Sequence, residues 1–289
     1  MDSSSVSVEL PYRPPYDWSA MLRFLADRAI DGVERVEGLS YQRSVRILSG
    51  QEFLGWIKIQ PLPGKHALEL RISPSLASVA PQVIARVQHL TDIHRDPEEV
   101  LSVLGALATP NSGLRVPGAM DGFELAVRAI LGQQITVRGA RTLAGRFTAA
   151  FGQAIEAPML NAVFPKAADV ARRRVATIAK LGVVVARAQA IIDISKVIND
   201  GTLDLRPGAP VEPNLAALRS IRGVGEWTAQ YIAMRALAWP DAFPYSDLAL
   251  CKALGGCSPK MALKMSEQWR PWRAYAVMHL WNSLRGDLT

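Results

Sequence analysis

The spacing of apolar residues changes near residue 112, and this change limits what the chain can fold into more than any other feature. Three segments before it alternate apolar and polar residues as strands do, at 41–48, 53–59 and 67–72. Helical spacing flanks them, at 16–29 and at about 78–91. Short connections that contain Gly50 and Gly64 join the strands, so an antiparallel sheet with two helices is expected.

Turn residues punctuate the segment 111–118, and beyond it strand patterns disappear. Asp121 stands three residues before Glu124, the spacing of an N-cap with an acidic partner, and apolar residues then follow one face. Further helices are predicted at 142–151, 167–181, 186–200, 213–221, 226–238, 248–254, 259–268 and 271–284. The sequence therefore predicts an α+β protein, with a small N-terminal α/β domain at 1–112 and an all-α body at 113–289.

The composition is that of an ordered globular protein, with 49% hydrophobic and 20% charged residues. No apolar run reaches the roughly 20 residues that a membrane helix needs, and residues 1–10 lack the pattern of a signal peptide. Two cysteines, Cys251 and Cys257, are too few for a disulfide framework, and with four scattered histidines they do not indicate a zinc site. We expect a soluble, cytoplasmic protein with reduced thiols and no membrane partner.

The formal net charge of +7 is unevenly distributed along the chain. It is −2 over residues 1–112, +6 over 113–200 and +3 over 201–289. Lysines and arginines that neutralise phosphates release counterions and so gain affinity that does not depend on base sequence. The basic C-terminal two-thirds therefore favours a polyanionic partner such as DNA, although basic surfaces also occur in proteins that bind no nucleic acid.

The segment 215–231 predicts two helices joined by a tight Gly223-Val224-Gly225 turn. Glycines permit backbone conformations and close approaches that a Cβ would block, so the turn can present bare amides at the start of the second helix, where a phosphate binds favourably. A structural corner between two helices is the alternative explanation. The longer pattern Leu-x-x-Ile-x-Gly-Val-Gly-x-Trp-Thr-Ala, however, resembles the helix-hairpin-helix of DNA repair glycosylases, here at about 213–238.

Asp247 lies 22 residues after Gly225, where the resemblance places a catalytic aspartate. Cleavage of an N-glycosidic bond builds oxocarbenium charge on the sugar, and a fixed carboxylate can stabilise it and orient a water. Asp247 could instead only cap the helix that begins at Leu248. Both roles are compatible, because a catalytic group can be held at a helix end.

Several motifs in order along the chain resemble the AlkA family of 3-methyladenine DNA glycosylases. They are Pro15-Tyr-Asp-Trp-Ser19, Leu114-Arg-x-Pro-Gly118, Arg128-Ala-Ile-Leu-Gly-Gln133, the hairpin, and Trp269-x-Pro-Trp-Arg-x-Tyr-Ala-x-x-His-x-Trp281. The resemblance implies an N-terminal domain like the TATA-binding protein, followed by two helical subdomains that form a cleft. It also implies double-stranded DNA with alkylated bases, such as 3-methyladenine and 7-methylguanine, as the substrate of a monomeric base-excision enzyme.

Site residues follow from the same resemblance. A flipped base is expected between aromatic or apolar walls, and cationic alkylpurines gain cation–π energy there. The predicted walls are Trp227, Tyr231, Trp281, Phe24 and Leu248. The predicted DNA contacts are Gly223, Val224, Gly225, Thr228, Gln134 and Ile135. No cofactor is required, but a monovalent cation, sodium or potassium, is implied at the backbone carbonyls of Arg219, Ile221 and Gly223.

The chain departs from the family pattern around the site. Ser246 replaces a usual second aspartate, Leu248 replaces a usual aromatic, and Gln134 occupies the position of the apolar wedge. Bifunctional relatives carry a lysine where this chain has Trp227, and an indole cannot form a Schiff base, so hydrolysis without strand cleavage is predicted. The alternatives are a module that binds DNA without catalysis and a glycosylase with lyase activity on oxidised bases.

Overall fold

The computed structural model describes residues 5–286, except for the side chains of residues 285 and 286. Its N-terminal part is a five-stranded antiparallel sheet in the order β1-β5-β4-β3-β2. The strands are β1 Val6–Pro11, β2 Glu34–Glu37, β3 Ser40–Ser49, β4 Gln51–Pro61 and β5 Ala67–Ile72. The helices of this part are α1 Trp18–Arg28, α2 Ala80–Thr91 and α3 Pro97–Leu104.

The three predicted strands and the two predicted helices are confirmed, and the edge strands β1 and β2 add to them. β2 has four residues, which is too short for an alternating pattern to stand out. Asp17 caps α1, because its side chain accepts a hydrogen bond from Ala20 N at 2.8 Å. The buried apolar face of α1 thereby lies against the sheet, and its C-terminal turn points toward the helical part.

Ten further helices follow in the described part of the chain. They are α4 Gly122–Leu131, α5 Val137–Phe151, α6 Ala167–Ala171, α7 Val175–Ala179, α8 Val185–Asn199, α9 Val211–Ser220, α10 Glu226–Arg235, α11 Leu248–Ala253, α12 Pro259–Ser266 and α13 Arg273–Gly286. No helix within residues 5–286 combines the length and the apolar character needed to cross a bilayer. The α+β class is confirmed.

The prediction that strands end at residue 112 is wrong for one segment. Residues 153–163 form an antiparallel hairpin of β6 Gln153–Ala157 and β7 Leu160–Val163. This hairpin packs on the N-terminal sheet, where Gln42 Nε2 donates to Pro158 O at 3.0 Å and Asn161 N donates to Gly32 O at 2.9 Å. Its strands are short and partly exposed, so no long apolar alternation marks them.

The predicted single helix at 167–181 is also wrong, because it is two short helices, α6 and α7, separated at Arg172–Arg174. Buried side chains form two apolar cores, one under the sheet and one within the helices. Val100 and Leu104 of α3 belong to the helical core although they precede residue 112. The boundary between 112 and 113 stays a prediction.

A buried ionic network joins α4 to the sheet. Arg43 of β3 donates to Glu124 at 2.6 Å, and Arg128 donates to Glu34 and Glu124 at 2.8 Å each. Burial raises the pKa of Glu34, but the guanidiniums of Arg128 and Arg43 lower it by more. Because breaking a buried pair leaves an uncompensated charge, the network fixes the position of α4 and of the loop after it.

Candidate active site

The segment 211–235 is a helix-turn-helix hairpin, as predicted, with helices α9 and α10 on either side of the turn. Gly223 has a φ of +94°, a left-handed conformation that favours glycine. Gly225 is the N-cap of α10 with a φ of −85°, and a Cβ built on it would meet no atom within 4 Å. Gly225 therefore faces open space, where a phosphate could approach the first amides of α10.

Gln133, in the loop between α4 and α5, connects that loop to the hairpin. Its Nε2 donates to Gly223 O at 2.9 Å and to Thr228 Oγ1 at 2.9 Å. Thr228 is only 2% exposed, and Val224 is buried as well. The side chains of these two predicted DNA contacts therefore lie inside the protein, where they stabilise the turn. The role of Gln133 lies beyond what sequence spacing alone reveals, because 90 residues separate it from Gly223.

Asp247 is the N-cap of α11, and its carboxylate accepts three hydrogen bonds. Oδ1 accepts from Leu250 N at 2.9 Å and from Trp281 Nε1 at 3.2 Å, whereas Oδ2 accepts from Trp227 Nε1 at 2.8 Å. Asp247 also lines the largest cleft found in the described part of the chain, with a volume of about 540 Å³. The cap and the position in the cleft coexist. The same geometry gives both indoles a fixed orientation.

The segment that carries Asp247 is held at its start by α13 and α10. Arg273 of α13 donates to both carboxylate oxygens of Asp241, at 2.7 and 2.9 Å, and both residues are buried. Gln230 of α10 accepts a hydrogen bond from Phe243 N at 3.0 Å. These contacts position residues 241–247 between the helices that supply Trp227 and Trp281.

Trp227, Tyr231 and Trp281 meet in the cleft, as the sequence predicts. The rings of Trp227 and Tyr231 stack with centroids 5.3 Å apart and planes within 9°. The ring of Trp281 lies 6.4 Å from that of Tyr231 at an interplanar angle of 49°. A cleft of this size with aromatic walls can accommodate a nucleobase and stack against it.

Phe24 also lines the cleft, but its ring is 5% exposed and lies against two guanidinium groups. The guanidinium carbon of Arg28 is 3.8 Å from the ring centroid, and that of Arg235 is 4.8 Å from it. Arg235 Nη1 also donates to the Tyr231 hydroxyl at 2.7 Å. Burial raises the pKa of Tyr231, but Arg235 and Arg28 lower it by more, so that its pKa falls below the usual value.

The mouth of the cleft carries exposed apolar residues. Ile135 is 39% exposed and Val137 44% exposed, and both line the cleft. Leu248, predicted as a wall of the base pocket, is 87% exposed and is not among the lining residues, because it stands at the first position of α11 and points outward. Gln134 is exposed with a φ of +53°. It stands beside Ile135 at the rim and not within the cleft.

The hairpin carbonyls are compatible with the implied monovalent cation. Ile221 O accepts from Val224 N at 2.9 Å, and Gly223 O accepts from Gln133. A carbonyl oxygen has two lone pairs, so each of these groups keeps one for a cation. Arg219 contributes to the hairpin through its side chain, which pairs with Glu226 at 2.7 Å.

Comparison with known proteins gives the same assignment at the level of family. The AlkA N-terminal domain matches residues 7–121, and the HhH-GPD superfamily of base excision DNA repair proteins matches residues 127–273. DNA-3-methyladenine glycosylase 2 of Escherichia coli (strain K12) is 35% identical over 94% of this chain and 95% of its own length.

Two solved structures share the fold. A 3-methyladenine DNA glycosylase from Archaeoglobus fulgidus superposes with a TM-score of 0.83 at 20% identity, covering 96% of this chain and 98% of that one. An 8-oxoguanine glycosylase/lyase of Clostridium acetobutylicum in complex with double-stranded DNA gives 0.70 at 17% identity, covering 92% of each chain. With its hairpin, its capped aspartate and both family matches in order along the sequence, the chain belongs to the HhH-GPD superfamily of base excision DNA repair proteins and carries an AlkA N-terminal domain.

Proposed function

We propose that this protein is a monofunctional DNA glycosylase that hydrolyses the N-glycosidic bond of alkylated bases, such as 3-methyladenine and 7-methylguanine, after flipping them out of double-stranded DNA. The observation that carries the proposal is the carboxylate of Asp247, fixed by three donors in an aromatic cleft. We also propose that the enzyme acts as a monomer in the cytoplasm, on the bacterial nucleoid if its host is a bacterium.

The carboxylate has one acceptor position left for chemistry. An ionised carboxylate offers about four such positions, and Leu250 N, Trp281 Nε1 and Trp227 Nε1 occupy three of them. Since Oδ2 accepts a single bond, it is the oxygen that can face the sugar or a water. There it stabilises the positive charge that develops at C1′ and orients the attacking water.

DNA binding is assigned to the two surfaces beside the cleft. The first amides of α10, behind the open face of Gly225, receive a phosphate. Gln134 and Ile135, at the rim, fill the gap left in the duplex by the extruded base, where an amide can also pair with the orphaned base. A monovalent cation held by the carbonyls of Arg219, Ile221 and Gly223 would add positive charge facing that phosphate.

Comparison of Asp247→Asn with Asp121→Asn tests the proposal. Asp121 caps α4 through a 2.8 Å bond to Glu124 N and does not line the cleft, so it is a matched control. Asparagine caps a helix as well as aspartate does, so both variants keep the cap and lose only the charge. Release of 3-methyladenine from methylated duplex DNA should fall on the order of 10²- to 10⁴-fold in Asp247→Asn alone. Equal activity in the wild type and Asp247→Asn, or activity in neither, would refute catalysis by this carboxylate.

The absence of lyase activity is tested separately. Trp227 stands where bifunctional relatives carry the lysine that forms a Schiff base, and its indole is bonded to Asp247. Borohydride treatment during turnover on damaged duplex DNA should therefore trap no covalent adduct. A trapped adduct would assign this chain to the mixed-function class. DNA binding without base release by the wild type would instead support a non-catalytic binding module.

A further inference from the structure

The cleft that holds Asp247 has a strongly basic lining. Its described lining residues include five arginines, and Asp247 is the single carboxylate among them. Arg23 and Arg141 are exposed near the mouth, where they can meet DNA phosphates. The remaining three are deeper: Arg28, Arg128 and Arg235.

Two of the deeper arginines are committed to the protein. Arg128 is ion-paired with Glu34 and Glu124 at 2.8 Å each. Arg235 donates to the carbonyls of Pro117 and Gly118 at 2.7 and 2.9 Å and to the Tyr231 hydroxyl. Both therefore act as structural cations that hold the floor of the cleft in place.

Arg28 has a different environment. The hydrogen bonds given for its guanidinium are a long one to Phe24 O, at 3.3 Å, and one with Tyr231. A guanidinium has five N–H donors, so most of them remain for a ligand. Burial and Arg235 lower the pKa of Arg28, against the opposite effects of Tyr231 and Asp27, which indicates a site where positive charge is not fully compensated.

A base that enters the cleft therefore meets a guanidinium and not the face of Phe24. Such a cation repels an alkylpurine that is already cationic, but it binds a carbonyl oxygen and stabilises negative charge. We infer that Arg28 is a specificity-determining residue that recognises neutral damaged bases bearing a carbonyl oxygen and stabilises them as leaving groups. The inference rests on the proposed function, since it needs glycosidic hydrolysis at Asp247.

The bond changes explain why the base's charge matters. When the bond between C1′ and the base nitrogen breaks, the electron pair stays on the nitrogen, and the water oxygen bonds to C1′. The water proton is released to solvent. A neutral base thus departs as an anion, which the guanidinium stabilises until the base takes a proton from solvent. A cationic base departs neutral, and then Arg28 has no anion to stabilise.

The ratio of two activities tests this role. The substrates are duplex DNA containing hypoxanthine, which is neutral and has a carbonyl oxygen, and methylated duplex DNA that releases 3-methyladenine, which is cationic in DNA and has none. In Arg28→Gln, kcat/KM for hypoxanthine should fall about 10- to 100-fold relative to kcat/KM for 3-methyladenine. Arg28→Lys, which keeps the charge but loses the planar donor array, should lie between the two.

Arg141→Gln is the matched control, because Arg141 lines the same cleft but is exposed at its mouth. It should lower both activities by the same factor through weaker DNA binding. Circular dichroism and the melting temperature check that each variant folds. If Arg28→Gln lowers both activities equally, or if the wild type releases 3-methyladenine but no hypoxanthine, the role of Arg28 is refuted while the proposed function stands. If the wild type releases neither base, the proposed function itself fails.

Discussion

The indole Nε1 of Trp227 donates a hydrogen bond to Oδ2 of Asp247 across 2.8 Å. The two residues are 20 positions apart, on α10 and at the start of α11. Because Trp227 also stacks on Tyr231, one side chain both forms the wall of the base pocket and orients the carboxylate. The pocket and the catalytic group are therefore mechanically coupled.

Replacing Trp227 with phenylalanine separates these two functions. Phenylalanine keeps much of the stacking surface but removes the donor, and a hydrogen bond to a charged group contributes about 1.5–3 kcal/mol. We expect kcat for 3-methyladenine release to fall about 10- to 100-fold, with a smaller change in KM. Single-turnover kinetics measure this. Trp272→Phe, outside the cleft, should leave kcat unchanged, and an equal loss in both variants would contradict the orienting role.

The two glycines of the hairpin should respond differently to alanine. Gly223→Ala places a Cβ at a φ of +94° and should lower the free energy of unfolding by about 1–2 kcal/mol. Gly225→Ala adds a Cβ in open space at an ordinary φ, so stability should change little while the affinity for duplex DNA falls. Urea denaturation and fluorescence anisotropy provide the two measurements. A Gly225→Ala protein with unchanged affinity would show that no phosphate approaches there.

Loss of Gln133 should weaken the connection between the wedge loop and the hairpin. Gln133→Ala removes the bonds to Gly223 O and Thr228 Oγ1 and leaves a buried hydroxyl with one partner fewer, so the free energy of unfolding should fall by about 1–3 kcal/mol. Gln134→Ala, its exposed neighbour, should change stability by less than about 0.5 kcal/mol. Urea titration of both variants measures this difference. Equal stability of the two variants would mean that the connection contributes nothing.

His279 should make stability depend on pH. Burial lowers its pKa from 6.5 to about 4, so between these values the unfolded chain binds a proton that the folded protein does not. Its contribution to stability is therefore complete above pH 6.5 and is lost as the pH falls toward 4, with a slope of up to about 1.4 kcal/mol per pH unit. Denaturation of the wild type and His279→Gln at several pH values should give a flatter curve for the variant.

Other buried groups complicate the absolute curve. Burial also lowers the pKa of His89 to about 4, which adds a slope of the same sign, whereas burial raises the pKa of Asp92 to about 6, which adds the opposite one. The difference between wild type and His279→Gln is therefore the informative quantity. Parallel curves would show that His279 does not titrate differently in the folded and unfolded states.

The sequence by itself determined the features that depend on neighbours along the chain. The turn glycines between α9 and α10, the cap at Asp247 and the alternation of β3, β4 and β5 are local, because capping, turns and periodicity involve residues within a few positions. Order and spacing of the motifs were sufficient for the family assignment. The short hairpin at 153–163 was missed for the same reason, since its strands are stabilised by the N-terminal sheet and not by their own pattern.

Only the tertiary structure decided how distant residues combine. Trp281 reaches Asp247 from 34 residues away, Gln133 reaches the hairpin from 90, and Arg28 of α1 enters a cleft built by α10 and α13. It also placed Leu248 outside the cleft and covered Phe24 with guanidinium groups. Such contacts depend on how whole helices pack, and neither spacing nor residue type along the chain specifies which side chains then come within hydrogen-bonding distance.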